Sequence, residues 1–284
     1  MNAMKTALLL GLLSGILIVG GRAIGGQRGM TMALFIAVGM NFFSYFFSEK
    51  IALASSGAIR VSETENPEVF WRLAGIVKPL CDRMGLPMPK LYVIPEDAPN
   101  AFATGRNPTH SSVAVTQGLL QLMDDREIEG VLGHELGHVK NRDILTSSIA
   151  ATIASAITWL AQMAFFFGGR RDDDDDGGSP IAGLLMMLLA PLAAGLIQMA
   201  ISRTREFSAD ATSAQYTGHP EELVSALRKL ESYSKRIPMD VSPSMSHMYI
   251  IKPLTGASLA QLFSTHPSTE DRIARLESLE RSRA

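Results

Sequence analysis

Residues 123–143 read MDDREIEGVLGHELGHVKNRD, and this stretch decides the fold. Asp124 or Asp125 can cap the start of a helix, with acidic side chains in its first turn. Apolar side chains then recur at helical spacing and give the helix one buried face: Ile128, Leu132, Leu136 and Val139. The pattern predicts an amphipathic helix.

Two histidines and a glutamate on this helix form a metal-binding pattern. His134 and His138 are four residues apart, so both imidazoles project from one side and can bind one Zn²⁺. Glu135 is offset by one position, where its carboxylate can take a proton from the attacking water and deliver it to the leaving amine. Gly133 and Gly137 are expected to leave room beside the ligands. The alternative is an ordinary helix with two surface histidines, since the bare motif arises by chance in about one chain of this size per hundred.

A third ligand is available further along the chain. A catalytic zinc ion needs three protein ligands and one open position. Residues 201–210 read ISRTREFSAD, in which Glu206 and Asp210 are four apart on a predicted helix. Glu206 would bind zinc, and Asp210 would accept the N–H of a ligand histidine and fix its tautomer. The alternative is that Glu206 pairs with Arg203 or Arg205 on a solvated face.

Apolar residues are concentrated in four blocks. The first two, residues 4–21 and 30–47, are each about as long as a helix that crosses a bilayer, and a glycine-rich turn at 22–29 joins them. We therefore expect a membrane hairpin, the alternative being that the first block is a cleavable signal peptide. The third and fourth blocks, residues 144–167 and 181–201, flank a loop with five consecutive aspartates. They predict a second hairpin, either spanning or packed against protein.

Two hairpins bring the chain back to its starting side each time, so the segments between and after them share one face of the membrane. The positive charges that flank the four blocks are nearly balanced and do not decide which face this is. The predicted organisation is a transmembrane hairpin over 1–48, a first catalytic part with the sheet and zinc helix over 49–143, a second transmembrane or hydrophobic hairpin over 144–201, and a second catalytic part with the third ligand over 202–284.

Composition excludes two other classes. The 284-residue chain has a net charge of −2, whereas a nucleic-acid binder needs a basic face, so no nucleic-acid partner is expected. Its single cysteine, Cys81, cannot form an intramolecular disulfide, which excludes a disulfide-stabilised scaffold. Cys81 is predicted to be a small buried side chain.

HELGHVKNRD, followed by an apolar pair of blocks and then REFSAD, resembles the M48 family of membrane zinc metalloproteases, and within it the HtpX-type heat-shock proteases. The resemblance covers nearly the whole chain. It implies a gluzincin-like α+β domain with two transmembrane hairpins (four spans) and one zinc ion per chain, bound by His134, His138 and Glu206, with Asp210 in support. It also implies a multi-pass protein of the bacterial inner membrane whose catalytic domain faces the cytoplasm and acts on misfolded or membrane proteins.

Three strands are predicted before the zinc helix, at residues 90–95, 100–105 and 112–116, with a turn at 106–110. In zincin-type peptidases an extended substrate pairs with the edge strand of such a sheet. The NAFATG segment resembles the edge region of the family, which makes Asn100 and Ala101 candidate substrate contacts. The alternative is an ordinary strand preceded by a turn.

The last helix is predicted to begin at Ser268 or Thr269, just after a His-Pro pair. A cation or donor near the zinc would stabilise the oxyanion of the tetrahedral intermediate. His266 is a candidate because a similar His-Pro element recurs in the family, and Arg272 is a second candidate. The alternative is a capping turn with a structural histidine.

Two rival functions remain. One is a prenyl-protein (CAAX-type) protease of the same family, although such enzymes are usually longer and have more spans. The other is a membrane scaffold or transporter with a structural HExxH motif, which predicts ionisable residues inside the spans. The four blocks contain essentially none.

Overall fold

The structure, a computed structural model, describes residues 2–149, 203–234, 250 and 267–281. The strands are β1 Ile59–Val61, β2 Lys90–Ile94, β3 Ala101–Asn107 and β4 His110–Thr116. The helices are α1 Asn2–Ser55, α2 Pro67–Met84, α3 Gln117–Leu122, α4 Asp125–Lys140, α5 Arg203–Thr217, α6 Pro220–Ser234 and α7 Thr269–Arg281. Helices and one small sheet are therefore mixed along the chain.

The four strands form one sheet in the order β1-β2-β4-β3, in which β2 and β4 are parallel and the other pairs antiparallel. The three predicted strands are confirmed, but the predicted turn is shorter, because β3 extends to Asn107 and β4 begins at His110. Strand β1 was not predicted, because it has three residues and a single buried side chain. That is too short to show an alternating pattern. Strand β3 forms one edge of the sheet.

Side chains alternate between the two faces of the sheet, as strand geometry requires. Leu91, Val113 and Val115 face a core shared with α2 and α4. Ile94 and Phe102, on the other face, pack against the last turns of α1. Each face is thus covered by helix, and α1 leads directly into the sheet. Cys81 lies in the first core as predicted, and burial raises the pKa of its thiol to about 11.

Helix α1 reverses direction in its middle. Gly26 has φ +58°, and Asn41 Nδ2 donates a hydrogen bond to Ser14 Oγ at 2.9 Å. A straight helix would separate these two residues by about 40 Å, so the chain must fold back. The reversal lies inside the turn predicted at 22–29.

One described segment, Gly26–Ser55, is long and apolar enough to cross a membrane, and only 12% of its most apolar window is buried. Residues 144–149 are helical and continue the chain beyond α4. The rest of the predicted second hairpin lies outside the described residues.

Helices α4 and α5 approach each other closely at two glycines. A β-carbon at Gly137 would lie 3.1 Å from Ala209 Cα, and one at Gly133 would lie 2.7 Å from Ser213 Oγ. The space beside Gly133 and Gly137, which was predicted to serve the metal ligands, is therefore occupied by α5. This close approach brings the ligand-bearing side of α5 against α4.

We predict that Gly137→Ala lowers the free energy of unfolding by about 1–2 kcal/mol, because its β-carbon meets backbone that must shift. Gly75→Ala, in α2, is the matched control: a β-carbon there meets nothing within 4 Å. It should raise the free energy of unfolding by about 0.5–1 kcal/mol through helix propensity. Thermal unfolding in detergent, followed by circular dichroism, measures both. Stabilisation by both substitutions would contradict the close helix contact.

Candidate metal centre

Three donor side chains converge between α4 and α5. His134 Nε2 lies 3.2 Å from His138 Nε2. The Glu206 carboxylate lies 3.7 Å from the first of these nitrogens and 3.6 Å from the second. Ligands held at about 2.0–2.1 Å from zinc with tetrahedral angles are about 3.3 Å apart. The donor set therefore fits a zinc ion, with a small adjustment of Glu206.

The start of helix α4, which carries His134, is fixed by a capping box. The Asp124 side chain accepts hydrogen bonds from the amides of Arg126 and Glu127, and the Glu127 carboxylate accepts from the amide of Asp124. Glu127 also accepts from Lys229 Nζ of α6 at 2.6 Å. The predicted cap is thus confirmed at Asp124, and it anchors α4 to the helix that follows α5.

Asp210 holds the first histidine. His134 Nδ1 lies 2.8 Å from Asp210 Oδ1, and since a carboxylate can only accept, Nδ1 carries the proton and Nε2 is left to bind the metal. Arg272 donates to the same carboxylate through Nε at 2.8 Å and Nη2 at 2.6 Å. Burial alone would raise the pKa of Asp210, but Arg272 and His134 outweigh it and hold the pKa at about 2. Burial lowers the pKa of His134, which favours the neutral ligand.

A second carboxylate, not identified from the sequence, holds the other histidine. His138 Nδ1 lies 3.2 Å from Asp143 Oδ2. Burial lowers the pKa of His138, but Glu206 and Asp143 outweigh this effect and raise it to about 9. The sequence feature that could have identified this partner is the position of Asp143, five residues after His138.

Glu135 lies beside the donor set and outside it. Its side chain is buried, and its Oε2 accepts a hydrogen bond from the amide of Ala103 in β3 at 2.8 Å. Burial raises the pKa of Glu135 to about 7, with further upward pressure from the Glu206 charge and opposition from His138. A carboxyl group with a pKa near neutrality can both accept and release a proton at physiological pH.

The predicted substrate contacts lie at the beginning of the edge strand. The Asn100 side chain is buried, and its Oδ1 accepts hydrogen bonds from the amides of Ala101 and Ile250. The carbonyl of Asn100 accepts from Thr116 of β4, so the main-chain groups of the next residue, Ala101, point to the outer edge of the sheet, where Ala101 is fully buried. Asn100 Nδ2 is buried and has no hydrogen-bond partner within the described ranges.

Arg272 is close to the metal centre but is engaged by the protein. Besides its two bonds to Asp210, it donates through Nη1 to the carbonyl of Ile250 at 2.8 Å. These contacts favour an indirect role through Asp210 over contact with a substrate oxyanion. Ser268 caps α7 and so places Arg272 in its first turn. His266, the other candidate for the oxyanion, lies outside the described residues.

A His-His-Glu donor set with a buried carboxyl group beside it is typical of metallopeptidases. Residues 67–280 match the family model described as Peptidase family M48. The chain belongs to peptidase family M48.

Two relatives agree with this assignment, and one solved structure shares the fold. The chain is 56% identical over 279 residues to a "Protease HtpX homolog" of Desulfatibacillum aliphaticivorans, covering 97% of this chain and 89% of the relative. It is 54% identical to a protein of the same name from Thermodesulfovibrio yellowstonii, covering 99% of both chains. Its fold is similar to that of S. mikatae Ste24p, with a TM-score of 0.51 at 20% identity, over 97% of this chain and 64% of that chain.

We predict that metal affinity depends on pH through His138. The pKa of this imidazole in the metal-free protein is about 9, above its ordinary value of 6.5, so it is protonated at neutral pH. That proton must leave before Nε2 can bind metal. The association constant for zinc should therefore rise about tenfold per pH unit up to about pH 9 and then level off.

Competition with a chelator between pH 6.5 and pH 10 measures this dependence. His219→Gln is a suitable control, because His219 is an exposed histidine paired with Glu221. It should leave the curve unchanged. A wild-type curve that levels off near pH 6.5 would show that the carboxylates around His138 do not hold its proton.

Proposed function

We propose that this protein is a membrane-anchored zinc endopeptidase that cleaves misfolded or membrane proteins. The observation that carries the proposal is the convergence of His134, His138 and Glu206 beside the buried Glu135. The relatives named "Protease HtpX homolog" support it at above 50% identity over nearly the whole chain. A scaffold with an incidental HExxH motif would have no need of a third acidic donor or of carboxylates behind the histidines.

The proposed chemistry needs one metal ion and one proton carrier. Bound zinc would supply a Lewis acid that polarises the scissile carbonyl and makes water acidic enough to react near neutral pH. Glu135, when ionised, would take the proton of the attacking water and then deliver it to the leaving amine. Burial raises the pKa of this carboxyl group to about 7 in the metal-free protein, which brings it closer to neutrality than the pKa of an exposed glutamate. Asp210 keeps the His134 imidazole in the tautomer that leaves Nε2 available.

The substrate is proposed to lie along β3 as an extended strand. The outer edge of β3 carries the amides of Ala101 and Ala103, which donate to Asn100 Oδ1 and to Glu135 Oε2. A peptide that took the place of these two acceptors would lie beside the catalytic carboxylate, held by main-chain hydrogen bonds that do not depend on its sequence. Asn100 and Ala101 would contact it at one end. Such binding suits unfolded proteins of many sequences.

We predict that Glu135→Gln lowers the rate of casein cleavage by at least about a hundredfold, because the amide cannot carry the proton. Zinc content should stay at the wild-type level, because Glu135 is not a ligand. Glu129→Gln is the matched control on the same helix, where Glu129 pairs with Arg83 at the surface. Cleavage by purified protein and metal analysis of the same samples test both. Undiminished cleavage by Glu135→Gln would exclude Glu135 as the base.

We also propose that the protein spans the bacterial inner membrane several times, with its catalytic part on the cytoplasmic side. The segment from Gly26 to Ser55 supports this, because it exposes a continuous set of large apolar side chains: Met32, Leu34, Phe35, Ile36, Val38, Phe42, Phe43 and Phe46. Exposure of such an apolar surface to water would be unfavourable, whereas lipid acyl chains would cover it. The reversal at Gly26 then brings both ends of the first hairpin to one side.

Labelling of introduced cysteines tests this topology. We predict that Gln27→Cys, at the reversal, reacts with a membrane-impermeant maleimide in intact spheroplasts. Glu63→Cys, in the exposed loop after β1, should react only after lysis. Native Cys81 adds little background, because it is buried and its pKa is raised to about 11. Labelling of Glu63→Cys in intact spheroplasts would place the catalytic part on the outer side.

A further inference from the structure

The turn that ends α4 has an unusual consequence for the metal centre. The amide of Asp143 donates to the carbonyl of His138 at 2.9 Å, and the amide of Arg142 donates to the carbonyl of Val139 at 3.1 Å. Arg142 has φ +58°, the left-handed conformation. These three features define a Schellman motif, which closes many helices. It brings the residue two positions past the cap back onto the last turn of the helix.

In many such motifs the returning residue makes an apolar contact with the helix. Here the returning residue is Asp143 and the helical residue it meets is His138. The contact is polar, with Asp143 Oδ2 at 3.2 Å from His138 Nδ1, and Asp143 is buried. The geometry that ends the helix thus also delivers an acceptor to the back of a metal ligand.

A cation lies on the other side of this aspartate. Arg205 Nη1 is 4.0 Å from Asp143 Oδ1, and the Arg205 side chain is 12% exposed. This nitrogen is buried, and no hydrogen-bond partner for it exists in the part of the chain that the structure describes. Arg205 directly precedes Glu206, so the cation and the third donor share one turn of α5.

Each ligand histidine of the centre therefore has a carboxylate and an arginine behind it, which form two similar pairs. In the first, Arg272 and Asp210 stand behind His134, with contacts of 2.6–2.8 Å. In the second, Arg205 and Asp143 stand behind His138, with contacts of 4.0 and 3.2 Å. A shift of about 1 Å would turn the Arg205 contact into a charge-assisted hydrogen bond. In both pairs the carboxylate holds the proton-bearing nitrogen of a ligand histidine.

We propose that Asp143 and Arg205 are a pair of positioning residues for the metal centre, which act through His138. Asp143 fixes the ring so that Nε2 faces the ion, and Arg205 holds the second oxygen of Asp143. The inference rests on the proposed zinc site and does not depend on peptidase activity. Partners of this kind are typically worth about 10–100-fold in metal affinity.

Zinc affinity of the purified full chain, measured by chelator competition at pH 9.5, tests the proposal, because at this pH loss of the Asp143 charge does not also ease the deprotonation of His138. Asp143→Leu keeps an apolar contact of the kind the motif usually has, and should weaken zinc binding about 10–100-fold. Arg205→Met should weaken it in the same direction by a smaller factor, and Arg205→Lys should recover part of the loss. Arg203→Met is the matched control, since Arg203 is exposed on the same helix. It should bind zinc as the wild type does.

The double variant separates a positioning role from a general structural one. If Arg205 acts through Asp143, Asp143→Leu combined with Arg205→Met should bind zinc no more weakly than Asp143→Leu alone. The ¹⁵N signal of His138 Nδ1 in the zinc-loaded protein should also move in Asp143→Leu and stay in place in Arg203→Met.

Unchanged affinity in Asp143→Leu, or fully additive losses in the double variant, would overturn the proposal while leaving the zinc site intact. Failure of the wild type itself to bind zinc would instead overturn the proposed function together with it.

Discussion

Asp210 is the carboxylate on which the rest of the site depends. It accepts from His134 of α4 and from Arg272 of α7, and it belongs to α5, so one side chain joins three helices. All three groups are buried. A buried charge without partners costs several kcal/mol, so removing any member leaves the others poorly compensated. The three side chains therefore stabilise one another only when all are present. The same hydrogen bonds orient His134 so that its Nε2 is available to a metal.

Close packing of α4 on α5 makes that set possible. Gly133 and Gly137 allow the backbone of α5 to approach to a distance that a larger residue would forbid. At that distance Glu206 reaches both histidines and Asp210 reaches the back of one of them. The distances of 3.6–3.7 Å between Glu206 and the two imidazoles, close to the separation of about 3.3 Å that zinc requires, thus follow from small residues on one helix face. Edge strand β3 completes the centre, because its Ala103 amide fixes the carboxyl group of Glu135.

The sequence predicted those parts of the site that depend on spacing within one helix. His134 and His138 fall on one side of α4, and Glu206 and Asp210 on one side of α5, because four residues make about one helical turn. Other parts depend on contacts between elements and were not predictable in this way. The role of Gly133 and Gly137 can be recognised only when the helix that packs on them is known. The partner of His138 can be recognised only when the shape of the turn at Arg142 is known. Arg272 was expected near the metal, but only its place in α7 shows that Asp210 engages it.

The central claim is that one zinc ion is held by two imidazoles and one carboxylate. X-ray absorption at the zinc edge of the fully loaded protein tests it most directly. We expect one zinc per chain in a shell of nitrogen and oxygen at about 2.0–2.1 Å, with outer-shell scattering from two imidazoles. In Glu206→Ala the imidazole signal should persist in whatever zinc remains bound, while the occupancy falls. A shell containing sulfur at about 2.3 Å, or one with fewer than two imidazoles, would contradict the account.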